Sequence, residues 1–231
     1  LCILTSKLQL IYSTSLDILK LRILKYVTML LDLSTEEELS KYSLRRSNDI
    51  YLFSNVFSED MCNKLVEYTN KNVNTRLKHE YGKNVQGQQK EIRYKSDPFY
   101  NPITSKIIDI SHFIKMKYNI PVAGFDNHGI EESINLRKID GPTRIHMDGP
   151  AFNMLNGDTT IPIKCLRSLS LIIALNGDYD GGEIVFPCQN FRTKLKQGEA
   201  IVFPPYWTHP HYTEDLKNNT FRYTVNTWVS V

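Results

Sequence analysis

Leu169-Ser-Leu-Ile-Ile-Ala-Leu-Asn-Gly-Asp-Tyr-Asp-Gly-Gly-Glu-Ile-Val-Phe-Pro187 is the stretch on which the fold of this chain turns. Its first half is apolar and rich in β-branched residues, as a buried strand requires. Asp180-Gly181 is a strong turn signal, and Glu183 to Phe186 then reads as a returning strand, so the sequence predicts a hairpin. Downstream, Gly198-Glu-Ala-Ile-Val-Phe-Pro-Pro205 and Thr220-Phe-Arg-Tyr-Thr-Val-Asn-Thr-Trp228 are each apolar enough for further strands of the same β-rich core.

The segments around this core carry the chemistry. In Arg144-Ile-His-Met-Asp-Gly149, His146 and Asp148 stand two apart. On an extended strand such residues point to one face, so both can reach a single metal ion with almost no loop to close. A third ligand comes from Trp207-Thr-His-Pro-His211, where His209 and His211 are the alternatives. Two imidazoles and one carboxylate on one face of an octahedron are the ligand set of ferrous oxygenases, and the absence of thiolates argues against a structural zinc site.

The order His146-Met-Asp148, then the 169–187 stretch, then Gly198 to His211, then Phe221-Arg-Tyr-Thr-Val-Asn-Thr-Trp228 resembles the catalytic domain of the prolyl 4-hydroxylase-like Fe(II)/2-oxoglutarate dioxygenases. Asp49 to Cys62 also resembles that family's opening strand and helix, so the resemblance runs from about residue 49 to the end of the chain. It implies a double-stranded β-helix, or jelly roll, in an α+β but mainly β chain with flanking N-terminal helices. It further implies that His146, Asp148 and His211 bind Fe(II), since the family's Trp-x-x-Pro-His string ends on the ligand. Arg222 would grip the distal carboxylate of 2-oxoglutarate with its planar fork. Ser170 would help hold the same carboxylate.

The activity so implied is oxidative hydroxylation of a prolyl or other residue of a protein or peptide. It uses dioxygen, decarboxylates 2-oxoglutarate to succinate and takes ascorbate as reductant. No side chain beyond the metal ligands need be catalytic. The alternatives are hydroxylation of a free amino acid or other small molecule, and a non-catalytic jelly-roll binding module, which would not need the ligands and Arg222 together. Where relatives carry tyrosines, at a Tyr-x-x-Gly site and just before the His-x-Asp, this chain has Lys138-Ile-Asp-Gly141 and Arg144. Lys138 or Arg144 is thus expected to replace their hydroxyls electrostatically. The polar, basic run from Lys83 to Lys95 corresponds to the family's mobile loop over a peptide substrate, which makes Arg93, Tyr94 and Arg144 candidates for substrate contact.

Composition fits one catalytic domain with an extension. The 231 residues carry 28 basic and 25 acidic side chains, a net charge of only +3, so nothing global points to DNA or an anionic membrane. No nucleic-acid-binding signature accompanies the basic loop. Cys2, Cys62, Cys165 and Cys188 lack metal or disulfide spacing, which suggests reduced thiols and a cytoplasmic location. Residues 1–47 are expected to be a helical extension and 48–231 the dioxygenase domain. Lys7, Asp17, Lys20, Arg22 and Lys25 interrupt the apolar N-terminus too often for a membrane span. Ser34 and Glu37 have capping-box spacing. Ser58 to Asn70 predicts a capped helix with Met61, Leu65 and Tyr68 on one stripe, and Pro102 to Tyr118 a second with Ile103, Ile107, Ile110 and Ile114 in register.

Overall fold

Ile50–Phe53 and Ala200–Phe203 are apolar at every position, and every one of these residues is buried. A strand with apolar residues on both faces must be covered on both, and these two lie side by side in the largest sheet. A computed structural model describes residues 44–73, 75–76, 87–92, 96–118, 134–149, 151–152, 163–165 and 167–230. In chain order the elements are β1 (Leu44–Ser47), β2 (Ile50–Phe53), α1 (Glu59–Asn72), β3 (Thr75–Arg76), β4 (Gly87–Ile92), α2 (Tyr100–Tyr118), β5 (Ile134–Ile139), β6 (Thr143–His146), β7 (Ala151–Phe152), β8 (Ile163–Cys165) and β9 (Arg167–Ala174). They continue with β10 (Asp180–Gly181), β11 (Ile184–Phe186), a 3-10 turn (Pro187–Gln189), β12 (Phe191–Thr193), β13 (Ala200–Phe203), β14 (His211–Thr213), β15 (Leu216–Lys217) and β16 (Arg222–Ser230).

Eight strands form the large sheet in the order β1-β2-β13-β9-β16-β5-β4-β3, and four form the small one in the order β12-β11-β14-β6. Between them pack Ile50, Leu52, Ala174, Ile184, Phe186, Leu195, Ile201 and Phe203. This is the expected jelly-roll core with helices beside it. The alternate residues of β2 face the other way: Tyr51 meets Tyr118 of α2 at 5.0 Å between ring centroids, and Phe53 meets Phe113 edge-on at 5.9 Å. Ile103, Ile107, Ile110 and Ile114 make the buried stripe of α2, as their spacing predicts.

Three expectations need correction. Residues 169–187 do not make a hairpin. β9 lies in the large sheet between β13 and β16, whereas β11 lies in the small sheet between β12 and β14. A tight turn joins neighbours in one sheet, so the intervening residues instead lead from one sheet to the other, and Asp180–Gly181 pairs with β15. Gly181 is needed there for close approach, because a Cβ would meet Asp215 O at 2.3 Å. In α1, capped by the Ser58 hydroxyl, the buried stripe is Cys62, Leu65 and Thr69. Met61 is only half-buried, and Tyr68 turns sideways to donate to Asp97 Oδ2 at 2.7 Å. Residues 44–47, expected within the extension, form β1. Asn48 and Asp49, with φ of 48° and 60°, make the two-residue turn into β2. The capping-box expectation at Ser34 and Glu37 lies outside the described residues. No described helix is long and apolar enough to cross a membrane.

Candidate metal centre

β6 and β14 are antiparallel neighbours, and their register sets His146 directly opposite His211. The two rings lie 4.4 Å apart by centroid. Asp148 follows two residues after His146, with Oδ1 at 3.6 Å from His146 Nε2. One ligand atom from each of the three residues lies within 4.8 Å of the others, a spacing that can hold a metal ion. Each imidazole contacts the carbonyl two residues before it through Nδ1, His146 to Arg144 O at 2.7 Å and His211 to His209 O at 3.2 Å. With Nδ1–H donating, both Nε2 lone pairs are left for the centre.

The surroundings tune the three groups differently. His211 is only 3 % exposed and lies 4.7 Å from the Phe203 ring and 5.4 Å from Phe186. Burial pulls its pKa down to about 4, against the opposing pull of Asp148, so it is neutral and able to ligate at neutral pH. Burial also works against a charged His146, but hydrogen bonds to Asp148 and to the Arg144 carbonyl prevail and raise its pKa. Burial would raise Asp148. The His146 hydrogen bond, the charge of His211 and the Ser170 hydroxyl overcome this and hold the carboxyl well below the usual range.

His209 stands apart from this cluster. It sits in a turn closed by His209 N donating to Tyr206 O at 2.9 Å, so it does not share the regular strand that begins at His211. Both its ring nitrogens are engaged, Nδ1 with Thr208 Oγ1 and Nε2 with Asn48 O, each at 3.0 Å.

A cavity of about 320 Å³ between the sheets is lined by His146, Asp148 and His211, by Arg222 and by apolar residues such as Leu171, Ile172 and Ile184. Arg222 donates through Nη1 to Gly182 O at 2.7 Å. Its Nη2 reaches Thr213 Oγ1 only at 3.4 Å, and its buried Nε has no partner among the described residues. The Nε/Nη2 edge, the one that grips carboxylates in a fork, is therefore open to the cavity. Ser170 does not join it there. Its hydroxyl instead donates to Asp148 Oδ2 at 2.5 Å, so Ser170 orients the carboxylate rather than lining the cavity.

Lys138 and Arg144 also sit elsewhere than expected. Lys138 faces α1, donating to Asn70 Oδ1 at 3.0 Å with its ammonium 4.5 Å from the centre of the Phe221 ring, and Arg144 is exposed. Their neighbours Arg137 and Thr143 line the cavity. Sequence reading missed Arg137 because alternation in a strand reverses the face at every step. Arg167 was missed too: it donates through Nη1 to Asp148 O at 2.8 Å and lies over the Trp228 ring at 3.9 Å. Arg93 and Tyr94 lie outside the described residues.

The sequence matches no family model and no curated protein. Among solved structures, a viral collagen prolyl hydroxylase from Paramecium bursaria Chlorella virus-1, in its 2OG complex, superposes with a TM-score of 0.57 at 19 % identity, over 80 % of this chain and 96 % of that one. The chain has the prolyl hydroxylase fold. A prolyl-4-hydroxylase from Pseudomonas putida shares this fold with a TM-score of 0.56 at 13 % identity, covering 85 % and 97 %. So does a prolyl hydroxylase from Trichoplax adhaerens in complex with a hypoxia-inducible-factor peptide fragment, at 0.52 and 14 %, covering 79 % and 84 %.

Proposed function

We propose that this chain is an Fe(II)- and 2-oxoglutarate-dependent dioxygenase that hydroxylates a prolyl or other residue of a protein or peptide. The observation that carries this reading is a single cavity with two imidazoles and a carboxylate converging at one place and an arginine offering an open fork at another. Two neutral nitrogens and one hard oxygen, with no thiolate in the cluster, suit ferrous iron. When bound, the iron with 2-oxoglutarate and dioxygen supplies the oxidising chemistry, the two oxygen atoms ending in the substrate hydroxyl and in succinate as carbon dioxide leaves.

What the chain's own residues do is bind, orient and exclude. His146, Asp148 and His211 would hold the ion on one face. Ser170 fixes the Asp148 carboxylate so that Oδ1 is turned toward His146. Arg222 would hold the far carboxylate of the keto acid, and Leu171, Ile172, Ala174 and Ile184 keep the cavity wall dry. A peptide substrate is supported by the exposed Ile145 and Met147 on either side of His146 and by Trp207, 77 % exposed, near His211. The Trichoplax protein, of the same fold, is seen with a peptide.

The test is turnover of 2-oxoglutarate with Fe(II), ascorbate and air, read as succinate with and without a peptide library, and as a mass gain of one oxygen on the peptide. Succinate release stimulated by proline-containing peptides is expected. Stimulation by free proline or lysine alone would move the reading to a small-molecule hydroxylase. Failure to bind both metal and 2-oxoglutarate would overturn it.

A further inference from the structure

Arg137 is a half-buried cation lining the cavity, with the Asp148 carboxylate as its opposing charge and no hydrogen bond among the described residues to hold its guanidinium. Its Nε is shielded from solvent and has no hydrogen-bond partner among the described residues, and its one aromatic neighbour, Trp228, is 6.0 Å away. Its guanidinium is held below its ordinary pKa by burial, opposed by the Asp148 charge and reinforced by Arg222 and Arg167. A cation shielded without hydrogen bonds is costly unless an anion meets it.

The register shows where that anion would lie. Arg137 of β5 is opposite Thr224 of β16, two pairs along from the Ile139–Arg222 pair and so on the same face of the sheet. From Thr224 its side chain runs toward Trp228, away from Arg222. Trp228 is in turn opposite Ser170, which holds Asp148. Arg137 thus points to the metal end of the cavity, while Arg222 is fastened through Nη1 to Gly182 at the other. With a divalent ion in place, two arginines and the ion would face the single carboxylate of Asp148 as the negative group among the lining residues. Such a cavity demands a ligand that is negative at both ends.

Resting on the oxygenase reading above, we infer that Arg137 is a second cationic contact for the keto acid, gripping the carboxylate beside the metal while Arg222 grips the far one. Arg137 is then a specificity-determining residue: it recognises the part common to all 2-keto acids, and Arg222 the part that distinguishes a dicarboxylate.

Two ligands separate the two grips. 2-Oxoglutarate carries both carboxylates, whereas 2-oxobutyrate carries only the one beside the keto group. Binding of each to the Mn(II)-loaded protein is measured by calorimetry in wild type, Arg137→Gln, Arg137→Lys and Arg222→Gln, with Mn(II) affinity measured alone. Arg137→Gln should weaken both keto acids by a similar factor, about 30-fold or more for a lost buried charge contact. Arg137→Lys, which keeps the charge and loses the fork, should fall between. Arg222→Gln should weaken 2-oxoglutarate and leave 2-oxobutyrate unchanged. Mn(II) affinity without keto acid should not fall in Arg137→Gln, and its melting temperature should not drop, because a cation without hydrogen bonds has been removed.

If Arg137→Gln leaves both keto acids unaffected, or weakens 2-oxoglutarate alone, the assignment is overturned. Parallel loss of Mn(II) would make Arg137 a support for Asp148, which overturns it as well. Wild-type protein that binds Mn(II) but neither keto acid would overturn the oxygenase reading, and this inference with it.

Discussion

Replacing Ser170 by alanine removes one oxygen from a buried site and tests how the metal centre is held. Ser170 is 1 % exposed, and its hydroxyl donates to Asp148 Oδ2 at 2.5 Å, leaving Oδ1 toward His146. A hydrogen bond to a charged group contributes about 1.5–3 kcal/mol, and the buried position gives water little room to replace it. Outer partners of metal ligands typically change metal affinity by about 10–100-fold, which corresponds to about 1.4–2.7 kcal/mol, so the two scales agree. Ser170→Ala should therefore weaken Mn(II) or Co(II) binding by about 10–100-fold in a calorimetric titration. Its preference for 2-oxoglutarate over 2-oxobutyrate should be unchanged. The reverse result, with metal affinity intact and 2-oxoglutarate selectively weakened, would place the hydroxyl on the cosubstrate and refute the geometry described here.

His209→Ala should retain metal binding and turnover, since both its nitrogens are spent on Thr208 and Asn48, whereas His211→Ala should lose both. Metal titration of each variant decides, and loss in His209→Ala with retention in His211→Ala would exchange their roles. Metal affinity should fall as pH drops through the raised pKa of His146, by about tenfold per unit once that imidazole is protonated, because the ion must displace its proton. His211, at about 4, and Asp148, lower still, add to the fall only in stronger acid; a flat affinity between mildly acidic and neutral pH would contradict this. Gly198→Ala should lower stability by about 1–3 kcal/mol in thermal melts. Gly198 has φ +78°, and a Cβ there would meet Phe57 O at 2.4 Å. An unchanged melting temperature would show that the loop yields freely.

Much of this protein is legible in its sequence because the informative residues are locally determined. His146 and Asp148 lie two apart on extended backbone, and the isoleucines of α2 recur at helical spacing; neither needs distant information. The Ser58 cap is local for the same reason. The misreadings share one cause, which is that the partner is distant in the chain. Asp180-Gly181 is a good turn dipeptide, but whether it joins neighbours or leads to the other sheet depends on which sheets β9 and β11 enter. Lys138 and Arg137 differ by one residue and face opposite sides of β5, a choice made by where α1 lies. The family resemblance puts the Ser170 hydroxyl on the cosubstrate, yet the acceptor it meets, Asp148, comes from another segment.

β6 is the outermost strand of the small sheet, joined to the rest through β14 at only two paired positions, His211 with His146 and Thr213 with Thr143. The two threonine hydroxyls meet at 2.7 Å, and just beyond the strand Gly149 N donates to Pro205 O at 2.7 Å. An ion shared by His146, Asp148 and His211 would act as a clasp between this rim and the interior. Peeling the rim away would then require giving up the ion, so its resistance to fraying grows with the logarithm of ion concentration above the dissociation constant. Loading the site and closing its edge become one equilibrium, and iron supply would set how long the mouth stays shaped to receive a substrate.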